Sequence, residues 1–252
     1  MPELITSHQN ARVKELRAAF ANHTREARVA VEGEHLVAEA LRGGVANALL
    51  FVRENSAHKL PTGIETLHLA KDVFDKAVVT ETPQGIALLF DPPVPPVKKD
   101  PALILIAAGL QDPGNLGTLI RSAEAFGATQ LITTAETVSP WNQKAIRASA
   151  GSIFRMPMLL TQTPRQIAAL KQSGVKLFAA VAGDGVPFTA SSYTSPSALL
   201  IGSEGAGLSP ELLHLANEHI SIPMPGKIES LNAAIAGSLL LYEASRQRTA
   251  SK

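Results

Sequence analysis

The sequence predicts two α/β domains in series. Short apolar strands alternate with amphipathic helical stretches along the whole chain, and a proline-rich segment at residues 91–101 interrupts that alternation once. In the second half, two apolar runs, 198–201 and 219–222, stop abruptly at loops rich in glycine and proline. Strand ends of that kind, each followed by a tight loop and a helix, are where open α/β sheets collect ligands.

In the first domain, residues 1–90, Val13, Leu16 and Phe20 recur at helical spacing among basic residues and predict an amphipathic helix over 10–21. A strand is expected at 29–32, followed by a helix through GEHLVAEAL that Gly43 and Gly44 end. Strands at 48–52, 66–69 and 85–90 and a short helix at 71–77 complete the unit. The linker, DPPVPPVKKDP, holds five prolines and two lysines, favours extended polyproline II and spaces the domains semi-rigidly; a proline-motif ligand for a partner is its other reading.

The second domain, 102–252, reads as a strand at 102–107, a loop at 110–116 and a helix at 117–126. A strand at 130–133, a helix at 140–150, a short apolar stretch at 153–158, a helix at 164–171 and a strand at 176–181 follow. Strand 198–201 runs into GSEGAG; Ser209 then offers an N-cap and Pro210 a first helical residue. Strand 219–222 meets the irregular loop PMPG, and a small-residue helix is expected over 233–244. Strands and helices in this order imply a largely parallel sheet covered on both faces.

Composition narrows the chemistry. The chain has 252 residues, 45% of them hydrophobic and 18% charged, and no cysteine, which removes disulfides, thiolate nucleophiles and zinc-thiolate sites together and fits a reducing cytoplasm. Neither a signal peptide nor an apolar run long enough to span a bilayer is expected. The seven histidines lack metal-ligand spacing, so no metal is predicted. Net charge is only +1, so any nucleic-acid contact must come from local patches: Arg12, Lys14, Arg17, Arg25 and Arg28, or Lys144, Arg147 and Arg155. Either group also reads as an ordinary solvated helix face. Aromatics are scarce at 4%, which favours shape and phosphate recognition over base stacking.

Three segments, DPGNLGTLIRSAEAFGA (112–128), IGSEGAGL (201–208) and ISIPMPGKIESLNAAIA (220–236), resemble in order the signature motifs of the SpoU (TrmH) family of RNA ribose 2'-O-methyltransferases, in the SPOUT class. The resemblance implies S-adenosylmethionine as methyl donor, a homodimer, and a carboxy-terminal trefoil knot that periodicity cannot reveal. The basic first helix followed by VEGEHLVAEAL resembles the L30e-like RNA substrate-binding domain that many such enzymes carry, which favours ribosomal over transfer RNA.

By match to the family motifs, Gly202, Ile222 and Leu231 are the donor-contacting positions, and Asn115, Arg121, Glu204, Ser230 and Asn232 the catalytic set. In the family the arginine is proposed to engage substrate phosphate and activate the hydroxyl. Guanidinium is effectively always protonated, so a phosphate clamp that stabilises a developing alkoxide is the better physical role, with the proton leaving to a phosphate oxygen or water. Glu204 is expected to orient Arg121 or Asn115; Ser230 and Asn232 are expected to position the ribose or fix the loop. Lys144 and Arg147, with Arg12 and Lys14, are candidates for RNA contact. Singly, each has a plainer reading: Ser230 as a helix N-cap, Asn232 as a first-turn residue, Ile222 and Leu231 as core, and Arg121 as a salt-bridge partner of Glu124. A non-catalytic RNA-binding protein that kept the fold is the competing function. A dinucleotide fold is disfavoured because GSEGAG has the wrong glycine spacing.

Overall fold

The computed structural model describes residues 3–21, 28–97 and 102–250; Arg25 and the linker positions 98–101 lie outside them. The chain divides into two units, Met1–Pro93 and Val94–Lys252.

The first unit runs β1 (Leu4–Ile5), α1 (Ala11–Phe20), β2 (Val29–Glu32), α2 (Glu34–Arg42), β3 (Ala46–Arg53), β4 (Glu65–Leu69), α3 (Lys71–Ala77) and β5 (Ile86–Asp91). Its mixed sheet has the order β1-β4-β3-β5-β2, with β3 and β1 parallel to β4, and β5 antiparallel to both β2 and β3. Asn10 caps α1 by accepting from the Arg12 amide, and the helix lays Val13, Leu16, Ala19 and Phe20 into one core with Phe51, Leu69, Phe74 and Leu89. Arg28, one of the expected basic patch, is instead held by carboxylates: its guanidinium lies 2.6 Å from Glu15 and 3.2 Å from Asp91. The two-residue strand β1 was not anticipated, because so short a run carries no periodicity.

The second unit continues with β6 (Leu103–Ala107), α4 (Pro113–Ala125), β7 (Gln130–Thr134), α5 (Gln143–Ser149), β8 (Met158–Gln162), α6 (Pro164–Gln172), β9 (Lys176–Val181), β10 (Val186–Pro187), β11 (Ser197–Ile201), α7 (Pro210–Leu215), β12 (Glu218–Ser221) and α8 (Ala233–Ala250). Every pairing in its seven-stranded sheet is parallel, in the order β10-β12-β9-β11-β6-β7-β8. Both faces are covered. Ile104, Ile106, Leu177 and Leu200 pack with Ile167 of α6 and Leu212 of α7. On the other face α8 comes close enough that a Cβ on Gly237 would lie 2.4 Å from Leu119 of α4 and 3.4 Å from Ile201. From β6 the chain steps outward through β7 and β8, whereas β11, β9, β12 and β10 lie on its opposite side. The β6/β11 boundary is therefore the topological switch point, where the strand-end connections diverge.

Several boundaries differ from those expected. The loop predicted at 110–116 is half helix, because Asp112 caps α4 at Pro113 and accepts from the Asn115 amide at 2.9 Å. Gly117, expected as the first helical residue, lies a full turn inside α4 and lets α5 approach: a Cβ there would sit 2.4 Å from the Ala145 carbonyl oxygen. The helix expected over 140–150 starts only after its Asn142 cap, and the apolar stretch 153–158 is mainly a 3-10 turn at Ser152–Phe154 ahead of β8. Ile222 lies just past β12, and α8 runs on to Ala250.

Candidate active site

The loop after β11 closes on itself. The Ser203 amide donates to the Gly207 carbonyl at 3.1 Å and the Gly207 amide returns a bond to Ser203 at 2.9 Å. Gly202 sits against that hairpin so tightly that a Cβ would lie 2.2 Å from the Gly207 carbonyl carbon, and Gly207 turns with φ +66°. Only glycine allows this approach. The loop forms one wall of a cavity of about 360 Å³, whose lining includes Gly202, Ile222, Met224, Ser230, Leu231 and Leu240. All three positions matched to the donor, Gly202, Ile222 and Leu231, line it, as do Ser230 and Glu204. Its size and its mixture of apolar side chains with close-packed backbone fit an adenosyl ligand with a short amino-acid tail.

At this site three separated segments are stitched together by side chains. Asn115 on the first turn of α4 donates from Nδ2 to Glu204 Oε1 at 2.5 Å. Asn232 donates from Nδ2 to the same Oε1 at 2.7 Å and to Asn115 Oδ1 at 3.0 Å. Asn232 Oδ1 meanwhile accepts from the Ala234 and Ile235 amides at 2.9 and 3.2 Å, so this one amide both caps α8 and closes the triangle. The cap expected of Ser230 thus falls to Asn232, which leaves the Ser230 hydroxyl without an intramolecular hydrogen bond among the described residues. Glu204 orients Asn115, not Arg121.

The first turn of α4 is fixed from below by Asp112. Lys144 of α5 donates to Asp112 Oδ2 at 2.8 Å, and that ammonium, together with the Asn115 and Gly114 amides, holds the Asp112 carboxyl below the usual carboxylate range. Lys144 therefore already has an anionic partner, and Asp112 is a site residue that sequence reading passed over. Its signal was present: an aspartate directly before proline at a helix start.

Arg121 is exposed and does not line the cavity. Six positions after Asn115 on a continuous helix, it points about 120° away from it around the axis. Glu124, the alternative ion-pair partner, binds Arg155 at 2.6 Å, and Arg121 makes no ion pair among the described residues. Arg147 on the neighbouring α5 is exposed as well. In the first unit Lys14 is exposed, and Arg12 shares Glu15 at 3.3 Å. These two belong to the other unit and take no part in the triangle.

A parallel α/β unit with a nucleoside-sized cavity at the carboxyl ends of β9, β11 and β12, walled by the loops after β11 and β12 and bordered by a carboxamide–carboxylate cluster, defines a ligand-binding α/β enzyme. The family model described as the SpoU rRNA Methylase family matches residues 102–242, and the MRM3-like substrate binding domain matches residues 10–88. The chain belongs to the SpoU rRNA methylase family. It is 35% identical over 245 residues to the 23S rRNA (guanosine(2553)-2'-O)-methyltransferase RlmP of Bacillus subtilis, covering 94% of this chain and 97% of that one. Among solved structures, the SpoU methyltransferase AviRb of Streptomyces viridochromogenes in complex with AdoMet superposes with a TM-score of 0.85 at 28% identity, covering 96% of this chain and 99% of that one. An AdoMet-bound rRNA methyltransferase from Sinorhizobium meliloti gives 0.84 at 30% identity, with 97% of each chain covered.

Proposed function

We infer that this chain is an S-adenosylmethionine-dependent RNA methyltransferase that acts on a ribose 2'-hydroxyl, in ribosomal RNA. The observation that carries the reading is the meeting of Asn115, Glu204 and Asn232, from three separated segments, beside a cavity of adenosyl size. The donor supplies an activated methyl group. The protein's work is to hold a weak nucleophile in line with it and to manage one proton. Gly202, Ile222 and Leu231 hold the donor; Ser230 and Asn232 hold the ribose and the loop; Arg121 engages the adjoining phosphate, supported by Arg147. The experiment is to map ribose methylation in total RNA with and without this gene product. Loss of one 2'-O-methyl mark in ribosomal RNA is expected, and an unchanged map would refute the reading.

Residues 1–90 act as the L30e-like RNA substrate-binding domain, with Arg12 and Lys14 on the exposed side of α1 as phosphate contacts; 91–101 is the linker, and 102–252 the knotted catalytic domain. The knot rests on the resemblance to the SPOUT class. We place the protein in the cytoplasm, where ribosomal RNA is found; no helix among the described residues is long and apolar enough to cross a membrane.

A homodimer is supported by α8. Ile235, Leu239 and Tyr242, spaced to share one face, are 54%, 39% and 54% exposed, a stripe that a single chain leaves in water. Leu239→Glu is expected to convert a dimer into monomers in sedimentation velocity. A dimer that survived would move the interface off this stripe.

A further inference from the structure

Glu204 reaches the cavity with one carboxylate oxygen committed and one left over. Oε1 accepts both carboxamides, Asn115 at 2.5 Å and Asn232 at 2.7 Å. Oε2 accepts no hydrogen bond among the described residues, although the residue lines the cavity. An anchoring carboxylate needs only the first oxygen, and the two fixed donors determine where the second one points. The other acidic residue in the lining, Glu229, lies in the 222–232 loop with no such fixation, and Arg121 is outside the lining.

We propose that Oε2 of Glu204 accepts the proton of the ribose 2'-hydroxyl during methyl transfer. This deepens the methyltransferase reading and rests on it. As the 2'-oxygen lone pair forms the new bond to the methyl carbon, the carbon–sulfur pair returns to the sulfur and neutralises its positive charge. The oxygen gains that charge, and its O–H bond becomes strongly acidic. A base of ordinary carboxylate strength then suffices, because the proton leaves late, and the carboxylate's negative charge stabilises the oxygen in the meantime. The proton passes to Glu204 Oε2 and from there to water. No step requires a deprotonated guanidinium, which leaves Arg121 to hold phosphate.

The test exploits the shape of glutamine. Glu204→Gln keeps Oε1 to accept from Asn115 and Asn232 and replaces only the free acceptor by a donor. The assay uses full-length protein, S-adenosylmethionine and total RNA from cells lacking this gene product. Wild-type turnover tests the function itself, and its absence on all RNA would overturn both readings. Given wild-type turnover, Glu204→Gln is expected to lose about 10²–10⁴-fold in rate. Calorimetric affinities for S-adenosylmethionine and S-adenosylhomocysteine should both stay within about threefold of wild type. Glu204→Ala should regain activity in proportion to added formate, which a purely architectural residue would not allow. Near-wild-type turnover by Glu204→Gln would overturn the proposal, as would a selective loss of S-adenosylmethionine over S-adenosylhomocysteine binding, which would assign the carboxylate to the sulfonium. Collapse of Glu229→Gln alone would move the role to Glu229.

Discussion

Gly202→Ala is expected to abolish measurable donor binding while leaving the domain folded. The new methyl would lie 2.2 Å from the Gly207 carbonyl carbon, 2.5 Å from its oxygen and 2.5 Å from the Leu208 nitrogen, all backbone atoms that no rotamer change can move aside. Relief requires opening the Ser203–Gly207 hairpin, whose two hydrogen bonds are worth about 1 kcal/mol each, on top of about 1–3 kcal/mol for overpacking. The hairpin is a wall of the donor cavity, so affinity for S-adenosylmethionine should fall by about 100-fold or more in calorimetry. Gly205→Ala is the control. Its Cβ meets nothing within 4 Å, and it should bind donor within about threefold of wild type. Equal affinity in the two variants would show that the hairpin does not shape the donor site.

Arg121→Ala should give the opposite signature, intact donor binding with a collapse of methyl incorporation. The side chain is exposed and outside the cavity lining, so calorimetric affinity for S-adenosylmethionine should be unchanged. As a phosphate clamp its loss removes an interaction made with the reacting RNA, and turnover should drop about 10²–10³-fold. The salt dependence of RNA binding should flatten by about one phosphate contact. Arg121→Lys should recover only part of the rate, because an ammonium cannot reproduce the two-pronged guanidinium contact. This variant also separates an enzyme from a non-catalytic RNA-binding protein. Retained activity would remove Arg121 from the catalytic set, and a wild-type chain that binds donor and RNA without turnover would favour the binding protein.

The strongest sequence features survive in the structure because their causes are local. Ser209 and Pro210 open α7 as caps do anywhere, β11 and β12 end where glycine and proline leave the chain no strand geometry, and α3 spans the seven residues its pattern marks out. The loop reading of 110–116 misled for an instructive reason. Pro113 and Gly114 look like helix breakers, yet proline is favoured at a first helical position, and Asp112 caps the helix there. The same error placed Asn115 in a loop, whereas α4 carries both Asn115 and Arg121 and turns them about 120° apart.

The sequence by itself determined most of the longer strands, the loops that end β11 and β12 and, through three ordered motifs, the family. Their determinants lie within a few residues of chain, where propensity, capping and periodicity act. Only the tertiary structure decided which groups share one site. It joined Asn115, Glu204 and Asn232, from segments more than 25 residues apart, assigned Lys144 to Asp112, withheld Arg121 from the cavity and left one oxygen of Glu204 without a hydrogen bond among the described residues. Side-chain partnership across such separations depends on how helices and strands stack, and nothing in a residue's near neighbours encodes that packing.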